Sequence, residues 1–274
     1  MNKKAVLGLL LAVIIPVTCF LFLRSKSDDV VALPNRIIYD TVISTVREGK
    51  QVNDTIWHKL SPFSFKNQEG ETVTLDKYEG KVKIIDFFFT HCPSICPTMT
   101  KNMKRLQESL TSPARVGDKT NHYINFLSFS IDPERDSVPQ LKQWADRFQI
   151  NPEQWDLITG DKKAIYNLAI NDVKLATVDG DKVDENFIHS DKFILIDRFN
   201  NIRGYYSGLD SADLAQLSRD AVLLTLERDR TKKSALSGNL DILAVAFLIV
   251  AILVGLFLIM FKKKKNVESH LEKK

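Results

Sequence analysis

The stretch "FFFTHCPSICPTMT", residues 87–100, places Cys92 and Cys96 four residues apart, directly after an apolar run that is typical of a buried strand. The chain has 3 cysteines, and the third, Cys19, lies in an apolar run near the N-terminus. The rest of the chain therefore carries one cysteine pair. From the sequence alone, this pair can form a disulfide, hold a metal ion or simply fill space.

Strands and helices alternate on both sides of this pair. Continuous apolar runs predict strands that are buried on both faces, in "VKIIDFFF", "YINFLSFSI" and "KFILID". Helices are predicted from about Pro97, in "SVPQLKQWADRFQ" with Ser137 as its cap, in "KKAIYNLAI" and over residues 211–227. "PFSFKNQEGETVTL" predicts a β-hairpin, and "RGYYSG" pairs with "KFILID". The fold class is α/β, with a central sheet flanked by helices and an added N-terminal β-hairpin.

Two long apolar runs lie near the termini. Residues 5–23 have no charge and follow two lysines, which predicts an N-terminal transmembrane anchor (1–23), with a cleaved signal peptide as the alternative. Residues 241–261 contain a second such run, and four lysines follow it. Basic flanks indicate the cytoplasmic side of a membrane. We therefore expect both termini to be cytoplasmic and the main domain to face the outer, periplasmic or equivalent, side.

The domain organisation follows from these spans. Between them we predict a stalk (24–60), the main domain (61–227) and a linker (228–240), and the chain ends in a basic tail (262–274). The formal net charge is +4, but the basic residues at the two ends account for more than this, so the outward part is slightly acidic. The net positive charge therefore comes from the residues that flank the predicted membrane spans. This charge distribution does not indicate a nucleic-acid partner.

The position of the cysteines predicts reactive thiols. At a strand-to-helix junction the helix dipole lowers thiol pKa values, so we expect both Cys92 and Cys96 to favour the thiolate, with both sulfurs on one side of the first turn if the helix has begun by Cys92. Thiolates attack disulfides and bind soft metal ions. A purely stabilising disulfide is the less favoured interpretation, because a loop this short restricts the unfolded chain little.

A dithiolate site for copper or zinc commonly recruits a histidine. Four histidines precede the second apolar run: His58, His91, His122 and His189. Sequence pattern alone does not choose among them, although His189 directly precedes a predicted central strand and is the most attractive.

Further candidates lie close to the predicted site. Asp132 and Asp136 follow the strand next to the cysteine strand, so a carboxylate there can orient a ligand, whereas helix capping and solvation explain both equally well. Met99 and Met103 offer thioether sulfurs, but their helical spacing favours packing in the core.

Four ordered blocks resemble the Sco/SenC family of membrane-anchored, thioredoxin-like copper proteins: "FFFTHCPSICPTMTKNM", "LSFSIDPERDSVPQLKQWADRF", "WDLITGDKKAIYNLA" and "FIHSDKFILIDRFNNIRGYYSG". The likeness extends over residues 62–227. It implies that Cys92, Cys96 and His189 bind one copper ion, Cu(I) or Cu(II), and it slightly favours Asp132 as a residue near the site. It also implies a metallochaperone for the dinuclear copper site of cytochrome c oxidase. The implied partners are the copper-bearing oxidase subunit and a further copper carrier or thiol reductant.

Three other functions are weighed against this one. A membrane-anchored thiol-disulfide oxidoreductase shares the fold and the dithiol, but such proteins typically have a two-residue spacer and a proline where this chain has Ile188 and His189. A thiol peroxidase of the PxxxTxxC type is disfavoured by Ile85 and Phe89. A structural tether leaves the cysteines without a role. If the protein is an enzyme, we expect a thiol-disulfide oxidoreductase; a metallochaperone is the favoured interpretation.

Overall fold

The computed structural model describes residues 17–18, 22, 32–47, 50–110, 123–176 and 190–227. Of the two units into which the chain divides, Leu33–Glu227 contains every strand and helix named below. The predicted spans 1–23 and 241–261, the linker 228–240 and the tail 262–274 lie outside the described residues, except for Val17, Thr18 and Phe22. Within the described ranges, no helix has both the length and the apolar character needed to cross a membrane.

Nine strands in the described residues form two sheets. The strands are β1 (Tyr39–Arg47), β2 (Lys50–Trp57), β3 (Ser64–Asn67), β4 (Thr72–Thr74), β5 (Val82–Phe88), β6 (Ile124–Ser130), β7 (Trp155–Thr159), β8 (Lys192–Ile196) and β9 (Ile202–Ser207). β1 and β2 pair only with each other, and the other seven form one sheet in the order β4-β3-β7-β6-β5-β8-β9. β5, β6 and β7 are parallel, whereas β8 is antiparallel to both β5 and β9.

The helices occupy the connections between these strands. α1 (Cys96–Leu110) joins β5 to β6, α2 (Val138–Phe148) joins β6 to β7, and α3 (Lys162–Asn167) runs into a π-helical turn (Leu168–Asp172). α4 (Ser211–Thr225) follows β9, and a 3₁₀ turn (Leu75–Tyr78) precedes β5. The prediction of an α/β domain with a central sheet and an N-terminal hairpin, here β3 and β4, is confirmed.

β5 lies inside the seven-stranded sheet, between β6 and β8. Every residue of β5 and of its parallel neighbour β6 is buried, as expected for strands covered by helices on both faces. Phe87 stacks on Phe129 at a ring-centroid distance of 5.7 Å, and Phe88 contacts Trp144 of α2 at 6.0 Å. The continuous apolar run that predicted this strand therefore reflects burial on both sides of the sheet.

β7 was not predicted as a strand. It is five residues long and contains Asp156, a charged residue that the sequence pattern does not associate with a buried strand. Asp156 is nevertheless buried, and its carboxylate accepts hydrogen bonds from Tyr78 (2.6 Å), Lys77 (2.9 Å) and Asn67 (2.8 Å). These donors come from the 3₁₀ turn and β3, so the charge is compensated by residues that are remote in sequence.

The predicted stalk, 24–60, contains a β-hairpin that the sequence did not reveal. β1 and β2 pair antiparallel from Tyr39 opposite Trp57 to Arg47 opposite Lys50. Apolar residues of β1 are exposed on both faces of this ribbon, so no alternation of burial marks it in the sequence. Both ends of the hairpin return to the seven-stranded sheet, since the Ile37 N–H donates to the Ile202 carbonyl and the Leu60 N–H to the Asn200 carbonyl.

A buried ion-pair cluster holds the two ends of the domain. Asp197, which is completely buried, pairs with Arg203 at 2.7 Å. Arg203 also donates to the Pro34 carbonyl at 2.8 Å and pairs with Glu227 at 3.2 Å. Arg36 lies 3.9 Å from the same Asp197 carboxylate. The first and last segments of the domain therefore meet on the turn between β8 and β9.

Removing the charge of Asp197 tests this cluster. We expect Asp197→Asn to lower the free energy of unfolding by about 3 kcal/mol, because the buried Arg203 would lose its closer carboxylate and keep only Glu227 as an ionic partner. Chemical denaturation of the full chain in detergent measures this change. In the control, Asp210→Asn, an exposed cap of α4 keeps an equivalent acceptor, so stability should hardly change. Equal stability of the two variants would contradict this role for Asp197.

Candidate metal centre

The cysteines lie at the carboxyl end of β5. The strand ends at Phe88 and α1 begins at Cys96, one residue before the predicted start. Cys92 therefore lies in the loop that precedes the helix, and its N–H donates to the Phe89 carbonyl at 3.3 Å. The condition for placing both sulfurs on the first helical turn, a helix that has begun by Cys92, is not met, and their proximity comes from the loop.

The two thiols are free and almost equally buried, with 6% of Cys92 and 4% of Cys96 exposed. Burial raises the pKa of the Cys92 thiol, but hydrogen bonds from the backbone and thiol of Cys96 and from Ser94 outweigh it, so the pKa is lowered. The Ser94 hydroxyl lies 3.7 Å from the Cys92 sulfur. Cys92 is therefore the thiol that favours the thiolate, as the position before a helix predicts.

Cys96 behaves in the opposite way. Burial and the hydrogen bond to Cys92 raise the pKa of its thiol well above the ordinary value, and the Phe89 backbone opposes this only in part. The expectation that both thiols would acidify is therefore wrong for Cys96. Its side chain lies within the core face of α1, where a thiolate loses its hydration, so its proton is shared with the Cys92 sulfur.

Asp86 is a residue that the sequence analysis missed. It lies on β5, is almost completely inaccessible to solvent, and accepts a hydrogen bond from Ser128 of β6. Burial raises the pKa of its carboxyl to about 7, which the Ser128 hydrogen bond opposes. Its charge also contributes, as a small effect, to the raised pKa of Cys96. The only signal in the sequence was a single acidic residue within an apolar strand.

The two carboxylates that were predicted to lie near the site, Asp132 and Asp136, have different surroundings. Asp136 is completely buried, and it accepts hydrogen bonds from the Thr90 N–H at 3.1 Å and from the Ser130 hydroxyl at 2.6 Å. It thereby holds the loop that leads to Cys92. Asp132 instead forms an ion pair with Arg135, three residues further on, which is a local contact at the surface. Of the pair, the structure connects Asp136 to the cysteine loop.

The histidine candidates are also separated by the structure. Both ring nitrogens of His58 are occupied, one by Asp40 at 2.6 Å and the other by the Asp172 carbonyl at 2.9 Å. His91 adjoins Cys92 and is half exposed. His122 and His189 lie outside the described residues. In the part of the chain that the structure does describe, no three His, Cys, Asp or Glu side chains cluster closely enough to hold a metal ion.

The methionines that follow the cysteines belong to the core. Met99 and Met103 are essentially inaccessible to solvent and belong to the hydrophobic core cluster. This confirms the interpretation of their helical spacing as core packing.

Comparison with known proteins gives a consistent result. The family model of SCO1/SenC matches residues 55–220, which is more than half of the chain. The SCO1 protein homolog of Bacillus subtilis (strain 168) is 32% identical over 173 residues, covering 63% of this chain and 86% of that protein.

Solved structures of similar proteins show the same fold. A SCO1/SenC family lipoprotein from Bacillus anthracis str. Ames is 30% identical, with a TM-score of 0.50 and coverage of 61% of this chain and 95% of its own. BsSco, described as a member of the Sco family of cytochrome c oxidase assembly proteins with a disulfide switch, is also 30% identical with a TM-score of 0.50. Its match covers 64% of this chain and 98% of its own.

The unequal thiols predict unequal reactivity. We expect iodoacetamide at neutral pH to alkylate Cys92 well before Cys96, because the thiolate is the nucleophile and the two side chains are almost equally buried. Peptide mass spectrometry of the reduced protein over time measures both rates. Cys96→Ser should leave Cys92 reactive, whereas Cys92→Ser should leave a slowly reacting thiol. Equal rates at the two positions would contradict the assignment.

Asp86 predicts a pH dependence of stability. Because the folded state raises the pKa of this carboxyl to about 7, it binds a proton that the unfolded chain has released, and stability falls as the pH rises through this window. Asp86→Asn should remove a slope of roughly 1.4 kcal/mol per pH unit between the unfolded and folded pKa values. Urea denaturation of both proteins from pH 4 to pH 7 measures it. Parallel stability curves would show that Asp86 is not the titrating group.

Proposed function

The chain belongs to the SCO1/SenC family, and on this premise we propose that it is a copper-binding metallochaperone that assists assembly of the dinuclear copper site of cytochrome c oxidase. The solved relative BsSco is described as a member of a family of cytochrome c oxidase assembly proteins, which supports the oxidase as the target. The copper-bearing oxidase subunit would then receive the copper ion. A further copper carrier would supply the ion to the dithiol, or a thiol reductant would keep the dithiol reduced.

One observation carries this proposal: two free, hydrogen-bonded thiols of unequal acidity beyond the carboxyl end of β5. Sulfur ligands select soft ions, and Cu(I) is the soft ion that two thiolates satisfy with or without a nitrogen donor. The Cys92 sulfur is prepared as a thiolate, and Cys96 gives up its proton when the ion binds. The donor set of this chain therefore fits one copper ion per domain.

His189 is proposed as the third ligand. It lies outside the described residues, but Ser190 directly follows it and leads into β8. The antiparallel register, in which Ile85 lies opposite Ile194, brings the beginning of β8 to the end of β5 from which the cysteine loop leaves. This topology supports a histidine beside the dithiol. An imidazole nitrogen favours Cu(II) over Cu(I), so this ligand would let the site hold both oxidation states.

The same dithiol is proposed to cycle to a disulfide. The hydrogen bond between the Cys96 and Cys92 side chains supports this proposal, in which oxidation of both thiols releases two electrons and two protons to an electron acceptor such as a protein disulfide. A disulfide has no thiolate to bind copper, so oxidation would expel the ion. A disulfide switch is described for BsSco.

A second function, a membrane-anchored thiol-disulfide oxidoreductase, is favoured by the unequal thiol pKa values. Cys92 is the thiolate that would attack a target disulfide, and Cys96 is the protonated thiol that would resolve the mixed disulfide. Its substrate would be the cysteines of the oxidase subunit or of another exported protein.

We also propose that the predicted spans 1–23 and 241–261 anchor the protein in the membrane, with the main domain outside. The solved relative from Bacillus anthracis is a lipoprotein, which supports attachment to a membrane surface for that protein. Anchoring at both ends of the domain would keep the dithiol near a membrane-bound oxidase.

A copper titration of the reduced full chain in detergent tests the proposed function. We expect one equivalent of Cu(I) or Cu(II) to bind, and a thiolate-to-Cu(II) charge-transfer band in the optical spectrum. Cys92→Ser and Cys96→Ser should each abolish tight copper binding, because only one of the two thiolates is then left to hold the ion. His189→Ala should weaken Cu(II) more than Cu(I), because the two sulfurs still satisfy the softer ion.

The contrary outcomes separate the two functions. Unchanged copper retention in Cys96→Ser would exclude the dithiolate site. Absence of specific copper binding together with rapid reduction of a test disulfide would favour the oxidoreductase.

A further inference from the structure

His91 occupies an unusual position beside the dithiol. Its side chain is 49% exposed, whereas the adjoining Cys92 is almost completely buried. Both cysteines and His91 are described, yet they do not form a three-ligand cluster. His91 is therefore not a third resident ligand in this arrangement, but its half-exposed ring lies at the surface directly before the buried Cys92.

Three donors converge on the Asp136 carboxylate behind His91. The Thr90 hydroxyl donates to it at 2.5 Å and the Thr90 N–H at 3.1 Å. The third donor is the Ser130 hydroxyl, which itself accepts from the Asp132 N–H at 3.1 Å and so directs its only proton to Asp136 at 2.6 Å. All described contacts of this carboxylate are contacts in which it accepts, so both hydroxyl protons point toward it.

These donors determine which nitrogen of His91 carries the proton. The Thr90 oxygen lies 3.0 Å from Nδ1 of His91, and its own proton is already donated to Asp136. Thr90 can therefore only accept from His91, which requires a proton on Nδ1. Nδ1 also lies 3.7 Å from the Asp136 carboxylate, and this further favours a proton there. In the neutral ring, Nε2 is then left with its lone pair.

A free Nε2 on an oriented imidazole is a metal-binding group. Copper and zinc bind neutral imidazole nitrogen, and metal-binding histidines are commonly oriented by a carboxylate behind the other nitrogen. Among the described residues, none hydrogen-bonds Nε2 of His91. His58 provides the contrast, because both of its nitrogens are occupied.

We propose that His91 is a transfer ligand for copper: Nε2 binds the incoming ion at the surface and passes it to the Cys92 sulfur, and it receives the ion again during release. This proposal rests on the proposed copper-binding function. In loading, the bond from copper to the donor protein or chelator breaks as the bond to Nε2 forms. The bond to Nε2 then breaks as bonds to both sulfurs form. The proton of Cys96 leaves to solvent, and the ion keeps its oxidation state.

A transfer ligand changes rates without changing the equilibrium. His91 is absent from both end states, the free ion with empty protein and the ion held by the resident ligands. Its loss therefore raises the barrier equally for loading and for release. A resident ligand behaves differently, because its loss weakens binding and so raises the dissociation constant.

Stopped-flow transfer of Cu(I) between the full chain in detergent and the chromophoric chelator bicinchoninate tests the proposal. We expect His91→Ala to slow both loading and release by about tenfold or more, with an unchanged dissociation constant. Thr90→Val keeps the imidazole but removes the acceptor that fixes the proton on Nδ1, so it should slow both rates by a smaller factor. His58→Gln is the matched control and should transfer copper at the wild-type rate.

Each contrary result has a distinct meaning. Equal rates in the wild-type and His91→Ala proteins would overturn this proposal and leave the proposed function intact. A higher dissociation constant with faster release in His91→Ala would also overturn it, because His91 would then be a resident ligand. A wild-type protein that takes up no copper would overturn the proposal and the proposed function together.

Discussion

Burial of β5 on both faces is the constraint on which the rest of the structure depends. β6 pairs with it along its whole length, β8 pairs with it over residues 83–85, and every residue of the strand is buried. Because β5 and β6 are parallel, they end at the same edge, where Phe88 lies opposite Ser130. The loops that follow the two strands are therefore neighbours. Asp136 from one loop reaches Thr90 in the other for this reason, and the cysteine loop is held in place.

The difference between the two thiols follows from the point at which the helix begins. Cys92 lies before α1 and receives the hydrogen bonds that the first residues of a helix cannot use internally. Cys96 is the first residue of the helix and turns its side chain toward the core, where burial favours the neutral thiol. Cys92 and Cys96 are only four residues apart, yet the Cys92 sulfur favours the thiolate and the Cys96 sulfur favours the protonated thiol.

Two parts of the fold were not predictable from local pattern. The β1–β2 ribbon has apolar residues exposed on both faces, so it lacks the alternation that marks a half-buried strand. β7 contains Asp156, whose burial is tolerated only because Tyr78, Lys77 and Asn67 donate to it from other elements. In both cases the determining contacts are between residues far apart in the chain, and hydrophobic periodicity reports only on neighbours.

The sequence by itself determined the α/β class, the buried strands β5, β6 and β8, the helices that follow β5, β6 and β9, and the position of the cysteine pair. These features depend on apolar runs, helical spacing and caps, which are local properties. Only the tertiary structure decided which thiol is acidic, which of Asp132 and Asp136 supports the loop, and that Asp86 lies buried near Cys96. These depend on strand register and on where each side chain is buried, because the free energy of a charge is set by the atoms around it in space.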